Sequence, residues 1–189
     1  MKTLWRTRAG RMDLSPLGAV SRGLAAGVIG TAAMDTFLFA RYRRGGGEEE
    51  LAHWELSAGV TSWEVAPAPA LVGRRVVEGV FQRKLPDSRA ALFNNVTHWG
   101  WGVGAAASYG VLAGSLRRPH VAYGLLYGAG VWLTSYAVLP AAGLYKQIWE
   151  YDTTTLWHDL SAHLVYGSAT AVAFVALAKT AVTRSEPNP

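Results

Sequence analysis

The sequence predicts an all-α integral membrane protein: a four-helix bundle with an amphipathic interfacial helix between spans 1 and 2. Three observations carry this expectation. Residues 90–116 and 119–145 contain no Asp, Glu, Lys or Arg, and each run exceeds the ~20 apolar residues that take a helix across a bilayer core. Two more apolar segments flank them, at 17–40 and 160–178. Small residues recur four apart in all four segments: Gly23 and Gly27, Gly27 and Thr31, Gly100 and Gly104, Gly110 and Gly114, Gly124 and Gly128, Gly167 and Ala171. That spacing lets helix backbones approach closely in lipid, where packing replaces the hydrophobic effect.

The charge balance agrees. The 18 Lys and Arg against 13 Asp and Glu leave a net charge of +5. Membrane proteins acquire such a balance from basic residues beside their spans. No run of five or more Lys/Arg and no recognition motif points to nucleic acid. Cysteine is absent, which excludes disulfides, thiolate zinc sites and thiol nucleophiles.

Residues 1–16 form a basic segment with Lys2, Arg6, Arg8 and Arg11. Span 1, 17–40, opens at the helix-start signal Ser15-Pro16. Its apolar stretch continues through Thr36-Phe37-Leu38-Phe39-Ala40, so it reads as an uncleaved span rather than a signal peptide. Arg22 lies a turn inside and can snorkel to the headgroups; Asp35 has no such escape. The connection 41–87 opens with a flexible joint, Gly45-Gly46-Gly47, running into Glu48-Glu49-Glu50. Pro67 and Pro69 then break the chain. Over 71–85 the apolar Leu71, Val72, Val76, Val77, Val80 and Phe81 recur at helical spacing opposite Arg74, Arg75, Glu78 and Arg83. Such a helix lies in the membrane interface or packs on a small extramembrane subdomain, and the two readings carry equal weight.

Span 2 covers 88–116 and joins span 3, 120–145, through the turn Arg117-Arg118-Pro119 as a transmembrane hairpin. Pro140 is expected to kink span 3 and free the carbonyl of Tyr136. A short connection, 146–159, leads to span 4, 160–178, and the polar tail 179–189 is expected to fray. With both termini cytoplasmic, the inside holds the basic N-terminus, Arg117-Arg118, Lys179 and Arg184. The 3–4 connection, with Lys146 against Glu150, Asp152 and Asp159, then lies outside. Trp99, Trp101, Trp149 and Trp157 form an aromatic belt near that outer surface. Arg41, Arg43 and Arg44 run against the rule, but they sit in a long connection with seven acidic residues, and long connections weigh less.

Chain parity locates the chemistry. Spans 2 and 4 enter from the side on which spans 1 and 3 exit. Asp35, His98, Tyr145 and His163 therefore share one membrane depth, with Asn94 and Asp159 each four residues before a histidine on the same helix face. A carboxylate inside a span faces the interior or a water-filled cavity and finds a partner. Three readings of this layer compete. The first is a hydrogen-bonded network in which Asp35 pairs with His98 or His163. The second is a path or site for protons, a metal held by Asp35, His98 and His163, or a small solute. The third is haem held by His98 and His163. The first is preferred. No Gly-Lys phosphate loop, nucleophile elbow or His-Glu-x-x-His gives an enzymatic reading an anchor.

A further pattern recurs near span starts. The stretches beginning at His98, His120 and His163 all read His-x-x-aromatic-Gly, ending in Trp101-Gly102, Tyr123-Gly124 and Tyr166-Gly167. With Gly27-Val28-Ile29-Gly30-Thr31-Ala32-Ala33-Met34, these His-led spans resemble bacterial inner-membrane proteins of the YagU-like type. The resemblance covers the span pattern, about half of the chain. It implies a polytopic protein of the bacterial inner membrane and brings no catalytic residues to carry over.

The expected function is accordingly non-enzymatic: a structural or accessory membrane protein that packs in lipid with a protein partner or a second copy of itself. The alternative is a small transport or ligand-binding protein that uses the Asp/His layer.

Overall fold

The computed structural model describes residues 14–116 and 120–183. The basic residues 1–13, the turn Arg117-Arg118-Pro119 and the tail from Arg184 lie outside them. The described chain is all-helical, with six α-helices: α1 (Pro16–Arg44), α2 (Leu51–Glu55), α3 (Ala68–Phe81), α4 (Ala90–Ser115), α5 (Tyr123–Ala141) and α6 (Thr153–Thr183). Short 3-10 turns precede α4 and α6, at Asp87–Arg89 and Ile148–Glu150.

Local chemistry sets most boundaries. Ser15 Oγ accepts the Gly18 amide at 3.0 Å and Pro16 occupies the first turn, so α1 starts where the sequence signal places it. Its far end runs past 40 to Arg44. Gly45-Gly46-Gly47 is a tight turn rather than a loose joint. Gly46 has φ +91°, and a Cβ on Gly47 would run into the Tyr42 ring. α6 begins earlier than 160 because Asp152 caps it, accepting the Thr155 amide at 2.9 Å and the Thr155 hydroxyl at 2.6 Å. α5 stops at Ala141, so Tyr145 lies beyond it. Pro140 therefore sits in the final turn, where no following turn exists for it to kink.

α1 packs against both α4 and α6, and α5 packs against α6. All these pairs are antiparallel. Gly23 lies against Ala106 and Gly110, Gly27 against Val103, Gly30 against Tyr166 and Thr170, and Gly124 and Gly128 against Gly167. A Cβ at Gly23 would stand 2.5 Å from the Ala106 carbonyl oxygen, a distance no real side chain tolerates. The sequential neighbours α4 and α5, by contrast, are held apart along a groove of about 580 Å³. The Tyr127 hydroxyl bridges it, donating to the Ala105 carbonyl at 2.5 Å. Two of the expected packing glycines, Gly100 and Gly104, point away from every neighbour into open space.

The interior is built from small residues: Ala19, Ala26, Ala106, Ala113, Ala171 and Ala178 are buried around Tyr109 and Phe174. The large aliphatic side chains lie outside, with Leu112 62 % and Leu126 73 % exposed. Among the described residues, two helices are long and apolar enough to cross a membrane, Pro16–Arg44 and Thr153–Lys179. α4 and α5 carry no charge over their described lengths, but glycine, tyrosine, tryptophan, serine and threonine dilute their apolar content.

The connection between α1 and α4 is a small subdomain. Trp63, Ala70 and Ala90 form its core with Leu71, Leu85 and Phe93 around them. The Trp63 indole donates to the Leu85 carbonyl at 3.1 Å and its ring meets Phe93 at 6.0 Å. α3 packs along the first turns of α4, with Gly73 against Phe93 and Thr97. It ends at Phe81 rather than 85 because Gln82 takes the left-handed conformation (φ 52°) and the Leu85 amide donates to Glu78 Oε1 at 2.8 Å. Val76 and Val80 remain exposed. The subdomain packing, one of the two readings of this helix, thus accounts for one face of α3 only.

Arg22 turns inward instead of outward. Its Nε donates to the Leu177 carbonyl on α6 at 3.2 Å and one terminal nitrogen to the Gly18 carbonyl at 3.0 Å. At the opposite end Arg41 joins the same two helices, donating to the His158 carbonyl at 2.8 Å and Ser161 Oγ at 2.7 Å.

Candidate functional site

Asp35 lies near the end of α1, on the face that carries Gly27 and Thr31 against α4. His98 occupies the matching level of α4, and its Nε2–H donates to Asp35 Oδ1 at 2.8 Å. The aspartate is 6 % exposed. Its second oxygen, Oδ2, is buried, and the Glu55 carboxyl is within hydrogen-bonding reach of Asp35, so a protonated Glu55 supplies the carboxylate with a second donor.

Asp35 borders a cavity of about 390 Å³ between α1, the start of α4 and the connection packed beside them. Asp35, Leu38 and His98 form its floor, Asn94 and Asn95 one wall, and Trp54, Glu55, Ser57, Val60, Pro67 and Pro69 the roof. Asn94 Nδ2 donates to Ser57 Oγ at 2.8 Å, which leaves its own carbonyl oxygen buried and unpartnered. The Trp99 indole donates to Glu55 Oε1 at 2.9 Å. Burial raises Glu55 above the usual carboxylate range, and the nearby Asp35 carboxylate raises it further, by its charge and by accepting the Glu55 proton in a hydrogen bond.

α2 reaches this position through aromatic stacking. Trp54 meets Phe39 at 5.4 Å and Tyr42 at 6.2 Å, which docks the five-residue helix on the end of α1. Glu55, Ser57 and Trp54 were not among the residues expected from sequence. They lie in a stretch without periodicity, and only the acidic character of the connection hinted at them. Trp99, assigned to an aromatic belt, turns inward to Glu55, whereas Trp101, Trp149 and Trp157 are exposed.

The other half of the expected layer gathers elsewhere. His163 Nδ1–H donates to the Asp159 carbonyl at 2.9 Å and lies 3.5 Å from Asp159 Oδ1, both on α6. Tyr136 packs on Tyr145 at 5.3 Å and on Tyr151 at 5.4 Å beside them. The expected six residues thus divide into Asp35, His98 and Asn94 at one cavity and Asp159, His163 and Tyr145 in an aromatic cluster. The two histidine rings are turned to different partners, not toward a common haem. Among the described residues no group of three or more His, Asp or Glu side chains is placed to hold a metal ion.

The His-x-x-aromatic-Gly steps work as packing devices. Gly102 lies against Thr31, Gly124 against Gly167 and Ala171, and Gly167 against Gly128. The Tyr166 hydroxyl ties α6 to α4, donating to the Gly102 carbonyl at 2.6 Å. Compared with family models, curated proteins and solved structures, the chain finds no match.

Proposed function

We propose that α1, α4, α5 and α6 form a four-helix bundle crossing a bilayer, and that the protein binds a small polar solute in the cavity at Asp35. The membrane setting is supported by the inverted burial. Alanine and glycine fill the interior, while leucine and valine face outward, an arrangement suited to lipid and costly in water. Only 33 % and 39 % of the apolar windows of α1 and α6 are buried within the protein, too little for core helices of a water-soluble fold. The YagU-like span pattern points to the bacterial inner membrane. The basic residues beside the spans favour both termini in the cytoplasm, with the Asp35 cavity on the opposite side.

The observation that carries the binding reading is the cavity of about 390 Å³ in which Asp35, Asn94 and His98 stand beside Trp54 and Glu55. A second reading, an accessory protein that docks a partner helix, is favoured by Gly100 and Gly104. These present a small-residue step to the exterior with nothing packed on it.

Because the chain has no cysteine, single cysteines test both parts. In sealed vesicles Ala58→Cys and Thr154→Cys are expected to react with a membrane-impermeant maleimide from one side, and Ser115→Cys only from the other. Equal labelling of all three without permeabilisation would refute the bundle topology. Ser57→Cys, in the cavity lining, is expected to react with N-ethylmaleimide but not with a bulky maleimide polymer. A Ser57→Cys variant whose thiol neither reagent reaches would remove the cavity as a binding site.

A further inference from the structure

α3 spends only its inner side on the protein. There Ala70 is buried and Gly73 lies against Phe93 and Thr97 of α4. Val72, Val76 and Val80, four apart, form a stripe along the outer side. Val76 is 59 % and Val80 69 % exposed, and a Cβ at Gly79 beside them would meet open space. Phe81 ends the stripe and is as exposed as Val80.

The charges of this segment divide along the same line. Arg74 turns inward, donating to Glu78 Oε1 at 3.0 Å and standing 5.0 Å from the centre of the Trp63 ring. Glu78, the one acid between 72 and 84, also accepts the Leu85 amide and is used internally. Arg75, Arg83 and Lys84 are exposed, and none of them forms an ion pair among the described residues. The outer edge of α3 is thus an apolar stripe rimmed by unpaired cations.

α4 sets the level of that edge. Gly73 meets α4 at Phe93 and Thr97, and Trp101, one turn further along, is 56 % exposed. In a bundle that crosses a bilayer, this is where the span reaches the aromatic belt and the headgroups. Resting on the membrane reading above, we infer that the outer edge of α3 binds anionic phospholipid of the same bilayer. Val76, Val80 and Phe81 enter the lipid, and Arg75 and Arg83 hold headgroup phosphates. A second copy docked on this edge would set these cations against their own kind, whereas an anionic surface neutralises them.

The test uses the full chain in vesicles of phosphatidylcholine with a minority of phosphatidylglycerol. The fluorophore NBD is attached at Val76→Cys, or at Ala58→Cys as the water-facing control, and the absence of native cysteine makes each label unique. Both positions belong to the same connection, so the orientation of the chain in the vesicles affects them alike. NBD at Val76 is expected to be shielded from iodide and quenched by lipids with a shallow doxyl group; NBD at Ala58 should behave in reverse. One basic residue near an anionic surface enriches anionic lipid by about 5-fold, so doxyl phosphatidylglycerol should quench Val76 at least ~2-fold more than equal doxyl phosphatidylcholine. Arg75→Gln/Arg83→Gln should bring the two lipids to parity. NBD at Val76 as open to iodide as at Ala58 would put the edge in water and overturn the inference. Shielding from iodide without quenching by either lipid would mean that a second copy covers the stripe, and would overturn it too. Equal quenching by the two lipids before substitution, or a preference that survives Arg75→Gln/Arg83→Gln, would overturn the headgroup contact. The maleimide labelling of Ala58→Cys, Thr154→Cys and Ser115→Cys reports the topology separately, so a spanning chain with Val76 in water overturns this inference alone.

Discussion

Asp35 and His98 stand 63 positions apart in the chain and share a 2.8 Å hydrogen bond between α1 and α4. The bond satisfies one carboxylate oxygen, and Asp35 also lines the cavity beside α2, so one residue ties two helices together and borders a site.

Removing the histidine should show its structural share. His98→Ala takes away the donor to Asp35 Oδ1, at an expected cost of ~1–3 kcal/mol. Thermal unfolding in detergent measures it. The double variant Asp35→Leu/His98→Leu is expected to be less destabilised than the sum of the single changes, because both polar partners leave together. Strictly additive losses would mean that the pair is not coupled.

The glycines should divide into two classes. Gly23→Leu and Gly27→Leu push side chains into the α4 backbone, where overpacking costs ~1–3 kcal/mol or more. Gly100→Leu and Gly104→Leu enter open space and are expected to leave the unfolding midpoint within error. A shift in apparent mass on gel filtration, seen only for Gly100→Leu and Gly104→Leu, would instead favour the docking of a partner or second copy on that face.

Two glutamates predict opposite pH responses. Glu78 lies below the usual carboxylate range, chiefly because it accepts the Leu85 amide and then because Arg74 donates to it. Its contribution is present above the ordinary glutamate pKa and is lost as pH falls through its lowered value. Hydrogen exchange over residues 82–87, corrected for intrinsic rates, should quicken in that acid window, and Glu78→Gln should remove the dependence. Glu55 is raised by burial and by Asp35. The folded state therefore gains most below the ordinary glutamate pKa and loses that gain as pH rises through the raised value. Glu55→Gln should raise the unfolding temperature at pH 7 and leave it unchanged near pH 4.

The roof depends on the small core beneath it. Trp63→Ala removes the contacts with Phe93 and Ala70 and the hydrogen bond to Leu85, with an expected local cost of ~3–5 kcal/mol. Limited proteolysis should then cut within 56–86 while the long helices stay intact. Protection equal to wild type would show that the connection is held by something other than this core.

Helix content and order were legible in the sequence because each rests on local information. Ser15-Pro16 announced the start of α1, the 3.6-residue rhythm announced α3, and chain parity put Asp35 level with both His98 and His163. Pro140 and Gly45-Gly46-Gly47 were read less well, since a proline's effect depends on how many turns follow it and a glycine's on what its neighbours leave free. The two charge-free runs were plain in the sequence, whereas apolar content divided the helices differently: among the described residues, those long and apolar enough to cross a membrane are α1 and α6. Charge and hydropathy are separate quantities, and glycine and tyrosine lower the second without touching the first.

By itself the sequence determined that this chain is helical, which residues lie on common helix faces, and that an aspartate near the end of the first long helix must find a partner. These follow from periodicity and from the cost of a lone carboxylate, both readable along one dimension. Only the tertiary structure decided that His98 and not His163 is that partner, that Glu55 and Asn94 come to the same cavity, and that Gly100 and Gly104 face outward. Those outcomes depend on which helix faces meet and on how a connection without periodicity folds back over them. Such contacts are set by packing between residues distant in sequence, and no local pattern encodes them.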